Sequence, residues 1–260
     1  MGAGHDPPLR VSAVVVCHDP DERLDACLTS LAPQVEELVL VANTPAALPE
    51  LPPGVRVLRA ERPRGYAANA NAGVAATAGD AVLVANADCV AGPGSVAGLA
   101  DFMAARAGCG VAGPQLIYPD GSWQPSRRAF PTVRGTLVRR TPLRWLLRPG
   151  ERQRSHYLLD ERPAGPARAD WLLGAFLLLR RSALEELGGF DEGFRLYCED
   201  IDLCYRAARA GWERWYVPAA VVEHAYAAEI DRRFVTRRTL WHLRGMLRFV
   251  RKHPERILAL

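Results

Sequence analysis

The chain has 260 residues and a mass of 28.5 kDa, enough for one sizeable α/β domain or for one domain with a short appendage. Hydrophobic residues make up 49% of it and charged residues 24%, which excludes wholesale disorder. The net charge of +4 is mild, and Lys252 is the single lysine among 33 basic residues, so the overall charge indicates no class of partner.

The sequence carries no recognisable targeting or cysteine motif. The longest apolar run, residues 171–179, is about half the roughly 20 residues that a membrane-spanning helix needs. The N-terminus has neither the basic nor the apolar region of a secretory signal. No two cysteines have the C-x-x-C spacing of a zinc site. Because no secretory signal is visible, we expect reduced thiols in a cytoplasmic protein. The cysteines are Cys17, Cys27, Cys89, Cys109, Cys198 and Cys204.

The first half of the chain alternates between short β-branched runs and helical periodicity. The alternation predicts a mostly parallel sheet with helices on both faces, that is, a Rossmann-like α/β fold. In such sheets ligands bind beyond the carboxyl ends of the strands, so the residues directly after each strand are candidate site residues. The predicted strands are 11–16, 37–42, 55–58 and 81–85, and the predicted helices are 24–31 and 65–78.

The pattern changes beyond about residue 120. Residues 122–154 contain nine arginines, one acid and several prolines, which predicts a loop or a helical excursion outside the sheet. After it the chain returns to sheet and helix patterns. The predicted strands are 171–179, 212–217 and 221–224, and the predicted helices are 182–187, 199–210 and 230–252.

An Asn-Ala-Asp sequence follows the strand predicted at 81–85. Asn86 and Asp88 at the carboxyl end of a strand can point into the ligand crevice, where their oxygens suit a hard divalent cation. A turn or a helix cap explains the same residue types, and that alternative stays open.

Three acids stand within four residues in the second half. Glu199, Asp200 and Asp202 repel one another unless a cation or protonation relieves them. An acidic first helical turn is the alternative, because carboxylates favour the positive end of the helix dipole. This alternative explains Asp202 better than the other two, which follow the aromatic residues Phe194 and Tyr197 and are expected to be partly buried.

A third candidate segment, residues 64–73, is rich in small residues at a predicted junction between loop and helix. Small side chains permit close approach of a ligand, and helix N-termini attract phosphate. The segment is neither G-x-G-x-x-G nor a Walker loop, so nicotinamide binding and P-loop chemistry are disfavoured.

Taken in order, these motifs resemble glycosyltransferase family 2, in particular its rhamnosyltransferase-like branch. The resemblance covers about residues 10–225, and it is the order of many motifs that makes it specific. The motifs are V-V-V-C-H at 14–18, C-L-T-S-L at 27–31, G-Y-A to N-A-G at 65–73, N-A-D at 86–88, G-A-F at 174–176, G-G-F-D-E-G-F at 188–194, E-D-I-D-L at 199–203, the run 211–218, and His224.

The resemblance implies a GT-A fold, an inverting mechanism and a role for each motif. Asp88 would bind Mg²⁺ or Mn²⁺, with His224 as a further ligand, and Asp200 would be the general base toward the acceptor hydroxyl. Donor contacts would come from Asn43, Gly65, Tyr66, Asn71 and Asn86, and acceptor contacts from Glu199, Asp202 and Gly174. The implied domains are 10–228 for the GT-A unit, with a nucleotide-sugar half at 10–118 and an acceptor half at 119–228, and 229–260 for a basic helical extension.

The sequence departs from the family pattern at three points. Ala42-Asn43 stands where the second strand usually ends in an aspartate that contacts the base or ribose, which puts that contact in doubt although Asn43 could substitute. Pro63 replaces an Asn that often precedes the G-[FY] pair. Asn86 replaces the first aspartate of D-x-D, as is frequent in the rhamnosyltransferase branch.

The expected activity is transfer of a sugar from a nucleotide-sugar, dTDP-rhamnose first and a UDP-sugar second, to a lipid-linked or cell-envelope glycan. A sugar nucleotidyltransferase is one alternative, but residues 15–19 lack the Gly-rich loop that it would use. A non-catalytic sugar-binding scaffold of the same fold is the other. Asp88 and Asp200 argue against the scaffold, and Ala42 argues for it.

The C-terminal region predicts a basic amphipathic helix. Between residues 232 and 256 lie nine basic residues and one acid, and the apolar residues at 240, 243, 247 and 250 fall on one helical face. Such a helix is typical of proteins bound at a membrane surface. A second basic stretch, residues 127–154, supports this interpretation, while a core-packing helix is the alternative. Nucleic acid is not expected, because neither stretch has a recognisable nucleic-acid-binding motif.

Overall fold

A computed structural model of the chain describes residues 8–130, 162–225 and 237–255. Its strands in chain order are β1 (Val11–Cys17), β2 (Glu37–Ala42), β3 (Val55–Arg59), β4 (Ala81–Asn86), β5 (Cys89–Ala91), β6 (Cys109–Ile117), β7 (Trp123–Gln124), β8 (Arg127–Arg128), β9 (Ala167–Arg168), β10 (Trp171–Leu172), β11 (Phe176–Arg180) and β12 (Glu213–His224). Its helices are α1 (Glu22–Leu31), α2 (Tyr66–Ala75), α3 (Ser95–Ala104), α4 (Arg181–Leu187), α5 (Glu199–Arg209) and α6 (Arg237–Lys252). A 3₁₀ turn at Ala32–Gln34 follows α1.

Within the described ranges one large sheet organises the molecule, with the spatial order β3-β2-β1-β4-β11-β6-β12-β5. β3, β2, β1 and β4 run parallel, as do β6 and β12. β11 is antiparallel to both of its neighbours, and β5 is antiparallel to β12. The mostly parallel sheet predicted from the sequence is therefore confirmed.

Helices cover both faces of this sheet, which explains why the central strands are apolar throughout. All seven residues of β1 are buried, as expected for a strand covered on both sides. α1 and α3 pack on one face, and α2, α5 and α6 on the other. α1 shows how local sequence sets an element: the Asp21 side chain accepts a hydrogen bond from the Arg23 amide at its start, and Leu24, Leu28 and Leu31 form its buried stripe.

Two predicted elements differ in the structure. The single strand predicted at 171–179 is divided into β10 and β11, because the chain breaks around Gly174 to meet α5. The two strands predicted at 212–217 and 221–224 form one long β12, whose register shifts between Val217 and Val221. Pro218 lies in this interval and has no N–H for the ladder, which accounts for the irregularity.

Parts of the basic regions lie outside the described residues, namely 131–161 and 226–236. The helix predicted at 230–252 is described from Arg237 onward, as α6. In the portions of the chain that the structure describes, none of the helices has both the length and the apolarity needed to cross a bilayer.

α6 packs so closely on the chain before α5 that one helical position requires glycine. A Cβ atom at Gly245 would lie 2.9 Å from the carbonyl oxygen of Tyr197 and 3.2 Å from the sulfur of Cys198. Tyr197 and Cys198 both have a φ of 71°, which is a strained conformation for residues with a side chain. The inner face of α6 thus supports the strained backbone that leads into Glu199.

We expect Gly245→Ala to lower the free energy of unfolding by about 1–3 kcal/mol, because the added methyl displaces backbone rather than a flexible side chain. The matched control is Gly98→Ala in α3, where a Cβ meets nothing within 4 Å. Alanine there should stabilise the chain by about 0.5–1 kcal/mol through helix propensity. Urea denaturation of both variants measures the difference, and equal effects at both positions would contradict the close packing of α6.

Candidate active site

A turn after β4 brings an acid and a histidine together. Asp88 lies between β4 and β5, and β5 pairs with the end of β12 so that His224 stands opposite Cys89. The Nε2 atom of His224 lies 3.5 Å from Oδ1 of Asp88, and ligand atoms of Asp88, Cys89 and His224 lie within 4.8 Å of one another. Asn86, the last residue of β4, is half-buried at the start of the same turn. Strand register therefore assembles this group from distant parts of the sequence.

His224 is oriented by a residue that sequence reasoning did not single out. Its Nδ1 lies 2.8 Å from Oε1 of Gln124, and the Gln124 amide nitrogen points back toward the His224 carbonyl oxygen at 3.5 Å. With the Gln124 oxygen as acceptor, Nδ1 carries the proton and the Nε2 lone pair faces Asp88. A buried partner of this kind is what fixes the ring of a metal-binding histidine. Gln124 is in β7, which pairs with β6, so only the folded sheet reveals the contact.

The protonation of this group suits cation binding. Burial lowers the pKa of His224, although the Asp88 charge acts in the opposite direction, so the neutral imidazole is favoured. Burial raises the pKa of Cys89 well above its ordinary value, and its thiol donates to the Ala175 carbonyl oxygen at 3.2 Å. A protonated thiol is a poor ligand. The carboxylate of Asp88 and the imidazole of His224 remain as a donor set that fits a divalent cation.

A second acidic group, Glu199 and Asp200, lies at the start of α5. We call it the second acidic station, and the Asp88–His224 pair is the first. Oδ2 of Asp200 accepts a hydrogen bond from the Gly174 amide at 2.9 Å, and Oδ1 accepts one from Ile201 at 2.9 Å. A Cβ at Gly174 would lie 2.9 Å from the Cβ of Asp200, so the break between β10 and β11 needs glycine at this point. Gly174 therefore positions Asp200, and its predicted acceptor contact stays a prediction.

The two carboxyl groups at this station are buried, and their pKa values are raised. Burial, followed by the charge of Asp200, raises the pKa of Glu199 from its ordinary 4.5 to about 8. Burial also raises the pKa of Asp200, against the lowering effect of the two amide hydrogen bonds. The Oε2 atom of Glu199 has no hydrogen-bond partner within the described residues. An acid with a raised pKa and an unsatisfied oxygen is the kind of group that proton transfer requires.

Replacing Glu199 by glutamine should flatten the dependence of stability on pH. Between about 4.5 and about 8 the folded wild type binds more protons than the unfolded chain, so its free energy of unfolding falls as pH rises. Glu199→Gln removes this titration, and the fall across that window should shrink. Urea denaturation at several pH values measures it, with Glu185→Gln, at an exposed position of α4, as the matched control. Identical slopes for wild type and Glu199→Gln would contradict the raised pKa.

Tyr66 is close enough to both acidic stations to be affected by their charges. Its amide, at the start of α2, donates to the Arg195 carbonyl oxygen at 2.8 Å, and its hydroxyl donates to the Gly174 carbonyl oxygen at 3.3 Å. Burial raises the pKa of Tyr66 well above its ordinary value, and the charges of Glu199, Asp200 and Asp88 add to this effect. The hydroxyl is therefore a protonated donor.

Three predicted donor contacts have other tasks in the structure. Position 65 requires glycine, because a Cβ there would lie 2.9 Å from the Arg195 carbonyl oxygen. Gly65 therefore allows close packing of two backbone segments. The Asn71 amide bonds the backbone N–H and carbonyl of Phe190, both at 2.9 Å, and so holds the turn after α4. These partners are remote in sequence, which is why a local motif did not reveal them. The donor contacts of Gly65 and Asn71 stay predictions beside these internal contacts.

Asn43 is likewise engaged inside the protein. Its Oδ1 accepts a hydrogen bond from the Arg64 amide at 2.8 Å, while its Nδ2 lies 3.0 Å from the Arg64 carbonyl oxygen and 3.0 Å from Nδ1 of His18. The residue is 5% exposed. Asn43 therefore fixes the loop before α2, and its predicted donor contact stays a prediction. His18, which directly follows β1 at the carboxyl edge of the sheet, is the polar residue beside it.

Asp202 has partners other than those of Glu199 and Asp200, and the acceptor role predicted for it stays a prediction. It has no exposed surface, and its carboxylate binds Arg206 at 2.7 Å, Lys252 at 2.9 Å and His253 at 2.8 Å. One helical turn separates it from Glu199, so its side chain points to α6 while Glu199 and Asp200 meet Gly174 and Tyr66. Asp202 anchors the C-terminal helix to α5.

The fold is that of the GT-A glycosyltransferases. GalNAc-T7, solved with UDP, GalNAc and Mn²⁺, superimposes with a TM-score of 0.63 at 20% identity over 85% of this chain and 44% of that chain. The Pyrobaculum calidifontis mannosyltransferase PcManGT, solved with GDP-Man and Mn²⁺, gives 0.57 at 15% identity over 86% of this chain and 59% of that chain. Both likenesses are at the level of the fold, and the chain spans less than two thirds of each of these proteins.

Residues 7–244 match the family described as glycosyltransferase like family 2, and the chain belongs to this family. Its similarity is to rhamnosyltransferases. It is 36% identical over 241 residues to the N-acetylglucosaminyl-diphospho-decaprenol L-rhamnosyltransferase of Mycobacterium tuberculosis (strain ATCC 25618 / H37Rv), covering 84% of this chain and 77% of that protein. It is 42% identical over 90 residues to the rhamnosyltransferase WbbL of Escherichia coli (strain K12), covering 35% and 33%. The family and its rhamnosyltransferase-like branch are thus confirmed.

Proposed function

We propose that the chain is an inverting, metal-dependent rhamnosyltransferase that moves rhamnose from dTDP-rhamnose to a hydroxyl of a lipid-linked glycan. One observation carries the proposal: the adjacent residues Gly174 and Ala175 join the two groups, because the Gly174 amide donates to Asp200 at 2.9 Å and the Ala175 carbonyl oxygen accepts from the Asn86 amide at 2.8 Å. The names of the related rhamnosyltransferases supply the sugar and the class of acceptor. A UDP-sugar is the second choice of donor.

On the donor side, Asp88 and His224 would hold Mg²⁺ or Mn²⁺. The cation would supply Lewis-acid neutralisation of the negative charge that develops on the leaving nucleoside diphosphate. The chain's own part is to present one carboxylate oxygen and one neutral imidazole nitrogen, kept in place by the β5–β12 ladder and by Gln124. Asn86 at the same turn adds an amide without adding charge.

On the acceptor side, Asp200 would take the proton of the attacking hydroxyl. The acceptor oxygen forms its bond to the anomeric carbon as the bond from that carbon to the diphosphate oxygen breaks on the opposite face, which inverts the configuration. The two amide hydrogen bonds from Gly174 and Ile201 hold the Asp200 carboxylate in one orientation. Its raised pKa makes it a stronger base than an exposed aspartate. Glu199 would position the acceptor or the base.

A panel of nucleotide-sugars tests the donor by thermal shift in the presence of Mn²⁺. A ligand at about 100 times its Kd adds about 2.7 kcal/mol to the free energy of unfolding, so the true donor should raise the melting temperature measurably. We expect dTDP-rhamnose to give the largest shift, and EDTA to reduce it. A larger shift with UDP-sugars than with dTDP-rhamnose would contradict the donor assignment while leaving the transferase proposal intact.

Product analysis separates the other two classes. Mn²⁺-dependent release of nucleoside diphosphate from the donor supports a transferase and excludes a non-catalytic scaffold. Release of pyrophosphate from a sugar phosphate and a nucleoside triphosphate would instead indicate a nucleotidyltransferase. Anion-exchange chromatography of the reaction products distinguishes three outcomes: release of nucleoside diphosphate, release of pyrophosphate, and no release.

A further inference from the structure

The outer face of α6 is apolar and exposed. Leu240, Leu243 and Leu247 are 54%, 44% and 49% exposed, and they are the exposed large hydrophobic side chains among residues 8–130, 162–225 and 237–255. Their three- and four-residue spacing places them on one stripe of the helix. An exposed apolar stripe concentrated on one helix indicates a surface that binds either another protein or a membrane.

The inner face of the same helix already has its partners. Phe249 is 1% exposed and His253, directly after α6, is 6% exposed. Arg248 binds Asp191 at 2.7 Å, and Lys252 binds both Asp191 and Asp202. The core-packing alternative raised by the sequence therefore describes this inner face and leaves the leucine stripe unexplained.

The charge beside the stripe has one sign. Residues 237–252 contain six arginines and lysines and no acid. On a helical projection Arg244 and Arg251 fall next to the leucines, and both are exposed. Exposed leucines flanked by cations are the two complementary features of a helix that lies in the interface of an anionic membrane.

We propose that the outer face of α6 binds an anionic lipid surface, with the leucines in the acyl boundary and Arg244 and Arg251 at the headgroups. A second copy of the chain fits less well, since pairing two such faces would oppose arginines to arginines with no acid on either helix. Nucleic acid would meet the arginines but would not bury the leucines. The inference does not depend on the proposed sugar or acceptor.

Cosedimentation of the full chain with lipid vesicles tests the proposal. We expect binding to mixed phosphatidylcholine and phosphatidylglycerol vesicles, weakening as salt is raised, and little binding to phosphatidylcholine alone. The triple variant Leu240→Gln, Leu243→Gln, Leu247→Gln keeps helix propensity and should weaken binding by more than about tenfold without lowering the melting temperature. Binding by this variant at the wild-type level would overturn the proposal, as would wild-type protein that stays in the supernatant.

Matched charge variants show whether vesicle binding depends on the arginines of α6 or only on the net charge of the protein. Arg244→Gln with Arg251→Gln should weaken vesicle binding by more than about tenfold, whereas Arg23→Gln with Arg56→Gln, two exposed arginines on other elements, should leave it nearly unchanged. Equal weakening by both pairs would overturn the assignment to α6. So would a clear loss of melting temperature in the leucine variant, because the leucines would then be covered by the chain itself. A dimer that the leucine variant dissociates would assign the face to a second copy.

Discussion

Asp200→Asn is expected to lower the rate of sugar transfer by about 10²- to 10⁴-fold while leaving the affinity for the donor nearly unchanged. The reason lies in the carboxylate, which amide hydrogen bonds from Gly174 and Ile201 hold in one orientation and which is separate from the Asp88–His224 pair. Asparagine keeps the size of the side chain but removes the base. Single-turnover transfer and donor titration on the same preparation measure the two quantities.

Asp202→Asn is the matched control for this variant, because it makes the same chemical change two residues further along α5. Its carboxylate binds Arg206, Lys252 and His253 and has no exposed surface. The expected effect is a lower melting temperature, since Arg206 and Lys252 lose the charge of a fully buried ion-pair partner. If Asp200→Asn lost donor affinity with an unchanged turnover rate, its assigned role would be wrong.

Asp88→Asn should weaken metal-dependent donor binding by at least about 100-fold, because the carboxylate is the only formal negative charge in the Asp88–His224 pair and even outer partners of metal ligands matter by about 10- to 100-fold. Donor titration with and without Mn²⁺ measures it. The melting temperature should change little, because the Asp88 side chain is about one third exposed at 32%.

Two further variants accompany Asp88→Asn, one as a negative control and one as a second test of the metal site. Asp120→Asn alters an exposed turn in which Asp120 bonds Ser122, and it should leave metal-dependent binding intact. Gln124→Leu removes the acceptor for Nδ1 of His224 and should weaken metal-dependent binding by about 10- to 100-fold. Wild-type activity that persists undiminished in excess EDTA would exclude the metal site, whatever the variants do.

Much of the sheet could be predicted because its signal is local. β1, β2 and β4 are buried on both faces, so each is a continuous apolar run that stands out from its neighbours in the sequence. The division of 171–179 could not be predicted in this way, because Gly174 breaks the strand to meet Asp200, 26 residues further along the chain.

A site residue could be predicted where its position just after a strand was enough to locate it. Contacts between residues that are far apart in the sequence could not be predicted. Asp88 follows β4 directly, and its place at the carboxyl edge was expected from the sequence. Gln124 and His224 are 100 residues apart, and Asn71 and Phe190 are 119 apart, so neither contact has a local pattern. The sequence motif predicts a ligand contact for the Asn71 amide, and in the structure this amide bonds the backbone of Phe190. Nearness in sequence likewise groups Asp202 with Glu199, although the helix turns its side chain toward α6.

The most direct test of the account is one transfer reaction with its stereochemistry determined. The chain is incubated with dTDP-rhamnose, Mn²⁺ and N-acetylglucosaminyl-diphospho-polyprenol, and the product is analysed by mass spectrometry and by the anomeric NMR signal of the new linkage. The account predicts one added rhamnose whose anomeric configuration is opposite to that of the donor, no product in EDTA, and a rate reduced by at least about 100-fold in Asp200→Asn. A product that retains the donor configuration, or one formed equally well by Asp200→Asn, would contradict it.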